Sequence, residues 1–353
     1  MTIRHLGAAL VALAGLAVVA ATPAAADVPC AAPDRGLGVA RVVEIDSTGG
    51  PIYGAITRFS REASFLGPKE VVLTFDDGPA PSITRSVLAT LDQFCTKATF
   101  FQVGRMAIAY PSMVREVMAR GHTVGTHTWS HPLSLGRLKP EAARDEIERG
   151  FAAVQMAAGQ PIAPFFRFPG LGDNQKLLQY LQSRGIGTFS VDVISNDSFI
   201  ASTERLIKTT LERVEQRQGG IILFHDIKPQ TAKALPVILA ELKARGYKVV
   251  HLRSRHGFEP DLAYSAALAP LLAKATKGGD AIAVPQPQIA IAGGPPVTQL
   301  APPARPITIA AAARHAGDAA AGSHGDAGPR NPIIYGGWQT TVRKPRTGHV
   351  ETD

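Results

Sequence analysis

The feature that most constrains the fold is a regular alternation of β-rich runs and helical segments between about residues 70 and 252. Each run is rich in β-branched and aromatic residues, and apolar residues at helical spacing lie between the runs. Repeated βα units of this kind are typical of a parallel sheet covered by helices. The predicted strands are 71–75, 98–103, 122–126, 164–168, 186–191, 221–224 and 247–252. We therefore predict an α/β fold, a distorted (β/α) barrel of about seven parallel strands.

The predicted helix ends support this alternation of strands and helices. Three predicted helices end in Arg120-Gly121, Arg184-Gly185 and Arg245-Gly246, which place a cation in the last turn and a glycine at a left-handed cap. A helix is also predicted over 82–94, where apolar residues would face the sheet. Before the barrel, two extended runs within 39–59 flank a turn at 48–51, which predicts a small hairpin or an edge extension.

The termini differ from this region in composition. An apolar run over 6–21 follows Arg4, and small residues at 24–26 are typical of signal-peptide cleavage. We predict a signal peptide over 1–26, an N-terminal extension over 27–69, a main domain over 70–255, and an Ala/Pro/Gly-rich, mostly disordered tail over 256–353. The mature protein is expected to be periplasmic or extracellular, without stable membrane insertion.

Charge and cysteine content narrow the classes of function. The formal net charge of +8 favours anionic surfaces such as cell-wall polymers. The chain has no clustered basic run, so nucleic acid is not an expected partner. The two cysteines are Cys30 and Cys95, and an oxidising compartment would permit a disulfide between them.

Acidic and histidine residues occur where predicted strands end. Asp76 and Asp77 end the first strand, and adjacent side chains there point to different sides, so one acid can bind a metal while the other faces a substrate. His127 and His131 are four residues apart, which on a helical turn puts both on one face. Two imidazoles and one carboxylate leave open positions on a metal ion, as catalytic metal sites require. The structural alternative for the Asp-Asp-Gly segment is turn formation.

Three further strand ends carry polar side chains. His225 and Asp226 follow strand 221–224, where a histidine can act as an acid or a base. Arg167 lies in strand 164–168, and Asp192 or Asp197 follows strand 186–191. Because functional groups gather at the carboxyl ends of parallel strands, we expect these residues at one rim. A purely structural Arg–Asp pair is the alternative.

These segments closely resemble the motifs of the polysaccharide deacetylases of carbohydrate esterase family four, which include peptidoglycan and chitin deacetylases. The resemblance covers about 70–252 and rests on Thr-Phe-Asp-Asp-Gly-Pro at 74–79, the two histidines, Arg167, and Leu-Phe-His-Asp at 223–226. It implies a hydrolase that removes N-acetyl groups from amino-sugar polymers and releases acetate.

The resemblance also implies a role for individual residues. A divalent metal, most simply Zn²⁺, would be held by Asp77, His127 and His131. The other implied roles are Asp76 as general base, Arg167 as its support, Asp197 (or Asp192) as the partner of Arg167, the Gly170 N–H as oxyanion donor, Leu223 as a wall of the acetyl pocket, His225 as general acid, and Asp226 as a residue beside it.

Two departures from the family pattern concern the groove walls. The family commonly has Arg-x-Pro, then an aromatic residue and Gly, whereas Gly170-Leu171 follows Pro169 here. The motif aspartate is commonly followed by Trp, whereas Ser198 and then Phe199 follow Asp197. Both changes alter groove walls rather than the metal or the proton-transfer groups. Separately, the sequence leaves two alternatives to N-deacetylation: an O-acetyl polysaccharide esterase on the same scaffold, and a non-catalytic carbohydrate-binding relative. Retention of Asp76 argues against the second.

Overall fold

The computed structural model describes residues 36–278, and these form strands and helices in alternation. The strands, in chain order, are β1 (Arg41–Ile45), β2 (Ile52–Tyr53), β3 (Glu70–Asp76), β4 (Thr99–Gln102), β5 (Thr123–Thr126), β6 (Phe165–Phe166), β7 (Gly187–Phe189), β8 (Val193–Ile194), β9 (Gly219–His225) and β10 (Lys248–Ser254). The α-helices are α1 (Pro81–Gln93), α2 (Gly104–Ala109), α3 (Pro111–Ala119), α4 (Pro140–Ala158), α5 (Gln175–Ser183), α6 (Thr203–Arg217), α7 (Pro229–Ala244) and α8 (Leu262–Lys277). Short 3₁₀ turns lie at Leu135–Arg137 and Pro169–Leu171.

All strand pairs among the described residues are parallel. β3 is central, because β9 pairs along its full length on one side, while the start of β10 and then β4 pair with it on the other. From β4 the sheet continues through β5, β6 and β7 to β2, and β8 pairs with β9. Within residues 36–278 no ladder joins β7 to β8, so the barrel is open at that point. This confirms the predicted α/β barrel class.

Strand alternation divides the core into two layers. On β3, Val71, Leu73 and Phe75 belong to the large apolar cluster shared with the surrounding helices. Val72 belongs instead to a smaller inner cluster with residues from β4, β6, β7, β9 and β10. Because side chains alternate along a strand, Thr74 and Asp76 lie on the same inner side as Val72. This register places a carboxylate at the inner rim of the barrel.

All seven predicted strands are present, with ends shifted by at most two residues. The three Arg-Gly helix ends are also confirmed, since Gly121, Gly185 and Gly246 have φ of +79°, +63° and +75°. The runs around 48–51 do form strands, but not a hairpin. β1 pairs with β10 and β2 with β7, so each extends a different edge of the sheet.

The predicted disorder after residue 255 is wrong for residues 262–277, which form α8. Asp261 caps its N-terminus by accepting from the Ala263 N–H, and Leu268 and Ala275 are buried. Leu268 packs in a cluster with residues of α2 and α4, so tertiary burial offsets the helix-weakening Pro270. The tail after residue 278, the signal peptide and Cys30 lie outside the described residues, so these predictions, including the Cys30–Cys95 pairing, stay predictions.

Candidate active site

Three predicted metal ligands converge at the carboxyl ends of β3 and β5. The Oδ1 atom of Asp77 lies 3.2 Å from His131 Nε2 and 3.6 Å from His127 Nε2. One ligand atom from each of the three residues lies within 4.8 Å of the other two. Asp77 Oδ1 is buried and accepts no hydrogen bond. A buried carboxylate oxygen without a donor is costly, and a cation held there would satisfy it.

The imidazoles are oriented for metal binding. His127 Nδ1 lies 2.7 Å from the carbonyl oxygen of Arg167, a contact that assigns the proton to Nδ1 and leaves Nε2 free. Burial lowers the pKa of His127 well below its ordinary value and also lowers that of His131, which favours the neutral form that binds metals. The donor set of two imidazole nitrogens and one carboxylate oxygen therefore fits a divalent ion.

The local backbone differs from the predicted helical turn. Residues 127–131 form an irregular loop, in which Thr128 and His131 have φ of +68° and +63°. The His131 N–H donates to Thr128 Oγ1 at 3.0 Å, and Glu146 of α4 accepts from Ser130 N at 2.8 Å and from Ser130 Oγ at 2.7 Å. These bonds offset the backbone strain of the two left-handed residues and so keep the loop in this conformation. The two histidines converge because of the loop, not because of helical spacing.

Asp76 is tied to a fully buried arginine. Arg167 Nη1 donates to Asp76 Oδ1 at 2.7 Å and to Thr74 Oγ1 at 2.8 Å, and its guanidinium lies 4.2 Å from the centre of the Phe101 ring. Asp76 Oδ2 lies 3.8 Å from His127 Nε2, on the side of the metal ligands. Burial raises the pKa of Asp76 to about 6, although the positive charge of Arg167 opposes the rise. A raised pKa suits a carboxylate that accepts a proton near neutral pH.

His225 on β9 is the register partner of Asp76 on β3 and has its own acidic partner. Its Nδ1 lies 2.7 Å from Asp197 Oδ1, and its Nε2 lies 3.8 Å from Asp77 Oδ2. Burial lowers the pKa of His225, but the charges of Asp197, Asp77 and Asp76 and the Asp197 hydrogen bond outweigh this and raise it to about 10. The site thus holds the Asp76 carboxylate and the His225–Asp197 pair next to Asp77.

The expected pairing of Asp197 with Arg167 is wrong. Both carboxylate oxygens of Asp197 are engaged elsewhere: Oδ2 accepts from the His225 N–H at 2.7 Å and from Thr231 Oγ1 at 2.6 Å, while Oδ1 faces the His225 ring. The alternative, Asp192, accepts from the backbone N–H groups of Ala55 and Ile221. Arg167 is held instead by Asp76, Thr74 and backbone carbonyls.

With this geometry in view, the chain can be compared with known proteins. A family model described as polysaccharide deacetylase matches residues 65–189. A chitooligosaccharide deacetylase from Bradyrhizobium is 31% identical over 204 residues, which cover 54% of this chain and 92% of that protein. The chain belongs to the polysaccharide deacetylase family. This confirms the resemblance drawn from the motifs and supports the predicted N-deacetylase hydrolase.

Other members of the family are similar over part of their length. A peptidoglycan-N-acetylglucosamine deacetylase from Listeria monocytogenes is 33% identical over 189 residues, which cover 54% of this chain and 39% of that protein. The structure of a peptidoglycan deacetylase from Bdellovibrio bacteriovorus superposes with a TM-score of 0.57 at 31% identity, covering 64% of this chain and 61% of that one. The present chain therefore spans less than two thirds of the length of each of these two proteins.

The remaining predicted residues of this deacetylase lie around the same rim. Leu223 on β9 is buried, and Gly170 is exposed in the 3₁₀ turn, at φ +59°. Asp226 is buried, with Thr84 Oγ1 donating to its Oδ2 at 2.7 Å and no donor for its Oδ1. Burial raises the pKa of Asp226 to about 7, against the hydrogen bond from Thr84. The structure thus brings all ten predicted site residues to one end of the barrel.

Two contributing residues were missed in the sequence. Thr74 accepts from Arg167 and donates to the Ile222 carbonyl at 2.6 Å, and its position two residues before Asp76 could have indicated that it shares the inner face. Thr231, at the start of α7, donates to Asp197 and has no comparable signal, because the contact joins residues 34 apart through a loop and a helix end.

Proposed function

We propose that this chain is a metal-dependent deacetylase that hydrolyses N-acetyl groups of amino-sugar polymers, such as peptidoglycan or chitin-like glycans, and releases acetate. The observation that carries the proposal is the unpartnered buried oxygen of Asp77 facing two imidazoles, with Asp76 and His225 nearby. The names of the relatives, which act on chitooligosaccharides and peptidoglycan, support the class of substrate.

In this proposal Asp77, His127 and His131 hold a zinc ion. When bound, the ion would supply Lewis acidity toward the acetyl carbonyl and lower the pKa of water. The ligand types are consistent with zinc, since neutral imidazole and carboxylate are common zinc ligands. The Arg167 carbonyl holds His127 in the ligating tautomer, so Arg167 contributes to both the metal loop and the base.

Asp76 acts as the general base. Its Oδ1 is fixed by Arg167, which leaves Oδ2 to accept the proton of the attacking water. The Gly170 N–H donates to the oxygen of the acetyl carbonyl as negative charge develops on it. Leu223 lines the site where the methyl group would lie, which is consistent with its burial on the inner face. The hydrogen bond from Arg167 orients Asp76 before substrate binds, which lowers the reorganisation cost of the reaction.

His225 acts as the general acid. Asp197 accepts from Nδ1, and Nε2 then donates a proton to the nitrogen of the leaving amine. An amide requires this protonation because an amine anion leaves poorly. Asp197 is therefore proposed as the residue that orients the acid, in place of the predicted role beside Arg167.

The role of His225 predicts a difference between amide and ester substrates. In His225→Gln, kcat for N-deacetylation should fall about 10²- to 10⁴-fold, the usual worth of a general acid, whereas kcat for an O-acetyl glycan should fall less than about tenfold. Acetate release from N-acetylated and O-acetylated glycans measures both. His256→Gln, at an exposed histidine, serves as the control and should change neither rate.

This comparison also separates the alternatives. Wild-type protein that releases acetate only from O-acetylated glycans would favour the esterase, and no release from either by metal-loaded protein would favour a binding protein. From the signal peptide predicted over 1–26, we also propose that the enzyme acts outside the cytoplasm. Among the described residues, no helix has the length and apolarity needed to cross a membrane.

A further inference from the structure

We propose that residues 51–59, called the N-terminal strap here, position two parts of the active site: the carbonyl groups that hold Arg167 and the turn that carries Gly170. The strap precedes the segment matched by the family model, which begins at residue 65. The inference rests on the proposed function for the roles of Arg167 and Gly170. Its structural part, the positioning of the turn, can be tested without activity.

The strap covers the edge at which the barrel is open. β2 pairs with β7, and the contact continues past both strands, where Ser190 N donates to Tyr53 O at 2.8 Å and Ile56 N donates to Val191 O at 3.0 Å. Ser190 Oγ also donates to Ile56 O. These bonds fix the path of residues 188–191 on the side of β7 where β2, and not β8, is the neighbouring strand.

That fixed path supports the buried arginine. Arg167 Nε donates to the Phe189 carbonyl at 3.0 Å, and Nη2 lies 3.4 Å from the Ser190 carbonyl. The same two residues are held by the strap. A connected series of hydrogen bonds therefore runs from the strap through Phe189 and Ser190 to Arg167 and on to Asp76.

Two features show that the contact is close. Gly54 has φ +93°, and a Cβ there would lie 2.5 Å from the carbonyl carbon of Ser190, so only glycine fits. The next residue, Ala55, donates its N–H to Asp192 Oδ1 at 2.9 Å, while Asp192 Oδ2 accepts from Ile221 N at 2.8 Å. Asp192 thus joins the strap to β9, across the gap between β7 and β8.

The second link runs from Thr57 to the turn that carries Gly170. Gly170 and Leu171 have φ of +59° and +55°, and a left-handed leucine costs energy that neighbouring contacts must offset. Thr57 Oγ1 donates to Asp173 Oδ2 at 2.5 Å, and Asp173 N donates back to Leu171 O at 3.0 Å. Thr57, Leu171 and Asp173 also line one small cavity. We assign Thr57 and Asp173 as positioning residues for the turn.

The test compares two substitutions of Thr57. Thr57→Val removes the hydroxyl at nearly constant volume, whereas Thr57→Ser keeps it. Because the Gly170 N–H is proposed to act mainly in the transition state, Thr57→Val should lower kcat about tenfold and change KM less than about twofold, and Thr57→Ser should stay near wild type. Thr48→Val, at an exposed threonine before the strap, is the control that should change neither constant.

Hydrogen exchange measured by mass spectrometry gives the readout independent of activity. Amides of residues 170–173 should exchange about tenfold faster in Thr57→Val than in Thr57→Ser, with unchanged exchange in β4 and β5. Equal exchange of this segment in the two variants would overturn the inference. If the exchange differs but wild-type protein releases no acetate from any glycan, the proposed function fails and the positioning of the turn stands.

Discussion

Replacement of Asp76 by asparagine should lower kcat for acetate release by about 10²- to 10⁴-fold while leaving the metal bound. Asparagine keeps an oxygen that can accept from Arg167, so the fold should be preserved, but it cannot accept the proton of the attacking water. Asp76 is also not among the three residues whose ligand atoms converge, Asp77, His127 and His131. The prediction therefore separates loss of the base from loss of the metal.

The measurement is acetate release from an N-acetylated glycan, with metal content determined on the same preparation. Asp46→Asn is the matched control, because Asp46 is exposed and pairs with Arg255 at 3.3 Å on the surface, where such pairs contribute little. Wild-type kcat in Asp76→Asn, or a fall in activity that merely follows loss of metal, would argue against Asp76 as the base.

Replacement of Arg167 by methionine should lower the free energy of unfolding by about 3–5 kcal/mol. The guanidinium is fully buried and donates to Asp76, Thr74 and the Phe189 carbonyl. Methionine fills similar volume but leaves these acceptors without donors and leaves the Asp76 carboxylate as an uncompensated buried charge. Urea unfolding monitored by circular dichroism measures the change.

Arg85→Met is the matched control for this stability experiment. Arg85 also pairs with a carboxylate, Glu116, at 2.9 Å, but its side chain is 54% exposed. Exposed pairs contribute about 0–1 kcal/mol, so this variant should unfold close to wild type. Similar losses in the two variants would mean that the Asp76–Arg167 pair is not the buried pair described above.

Much of the barrel was predictable because β-rich runs and helical spacing carry local information. The run 71–75 is apolar except for Thr74, as expected of a central parallel strand, and β3 is buried on both sides. The Arg-Gly helix ends were predictable for the same reason, because the signal lies in adjacent residues. By contrast, β8 has two residues, too few for a periodic pattern, and α8 depends on burial of Leu268 against distant helices.

The residues of the candidate site also differ in how well the sequence predicts their positions. Asp77 and His127 could be predicted because each directly follows a strand end, and parallel strands bring those ends together. His131 was predicted from helical spacing, whereas an irregular loop brings it to the site. The partner of Asp197 could not, because it depends on how the loop after β8 folds toward β9 and α7. The roles of the strap residues could not be predicted either. Gly54 and Thr57 are residue types common in turns, and only the folded structure shows their contacts with Ser190 and Asp173.

Zinc titration of metal-stripped protein by calorimetry tests the central claim most directly. We expect about one zinc ion per chain, with affinity at least roughly a hundredfold weaker in His131→Ala and unchanged in His256→Ala. Failure of the wild-type protein to bind zinc or another divalent ion, or equal affinity in His131→Ala, would contradict a metal centre at Asp77, His127 and His131.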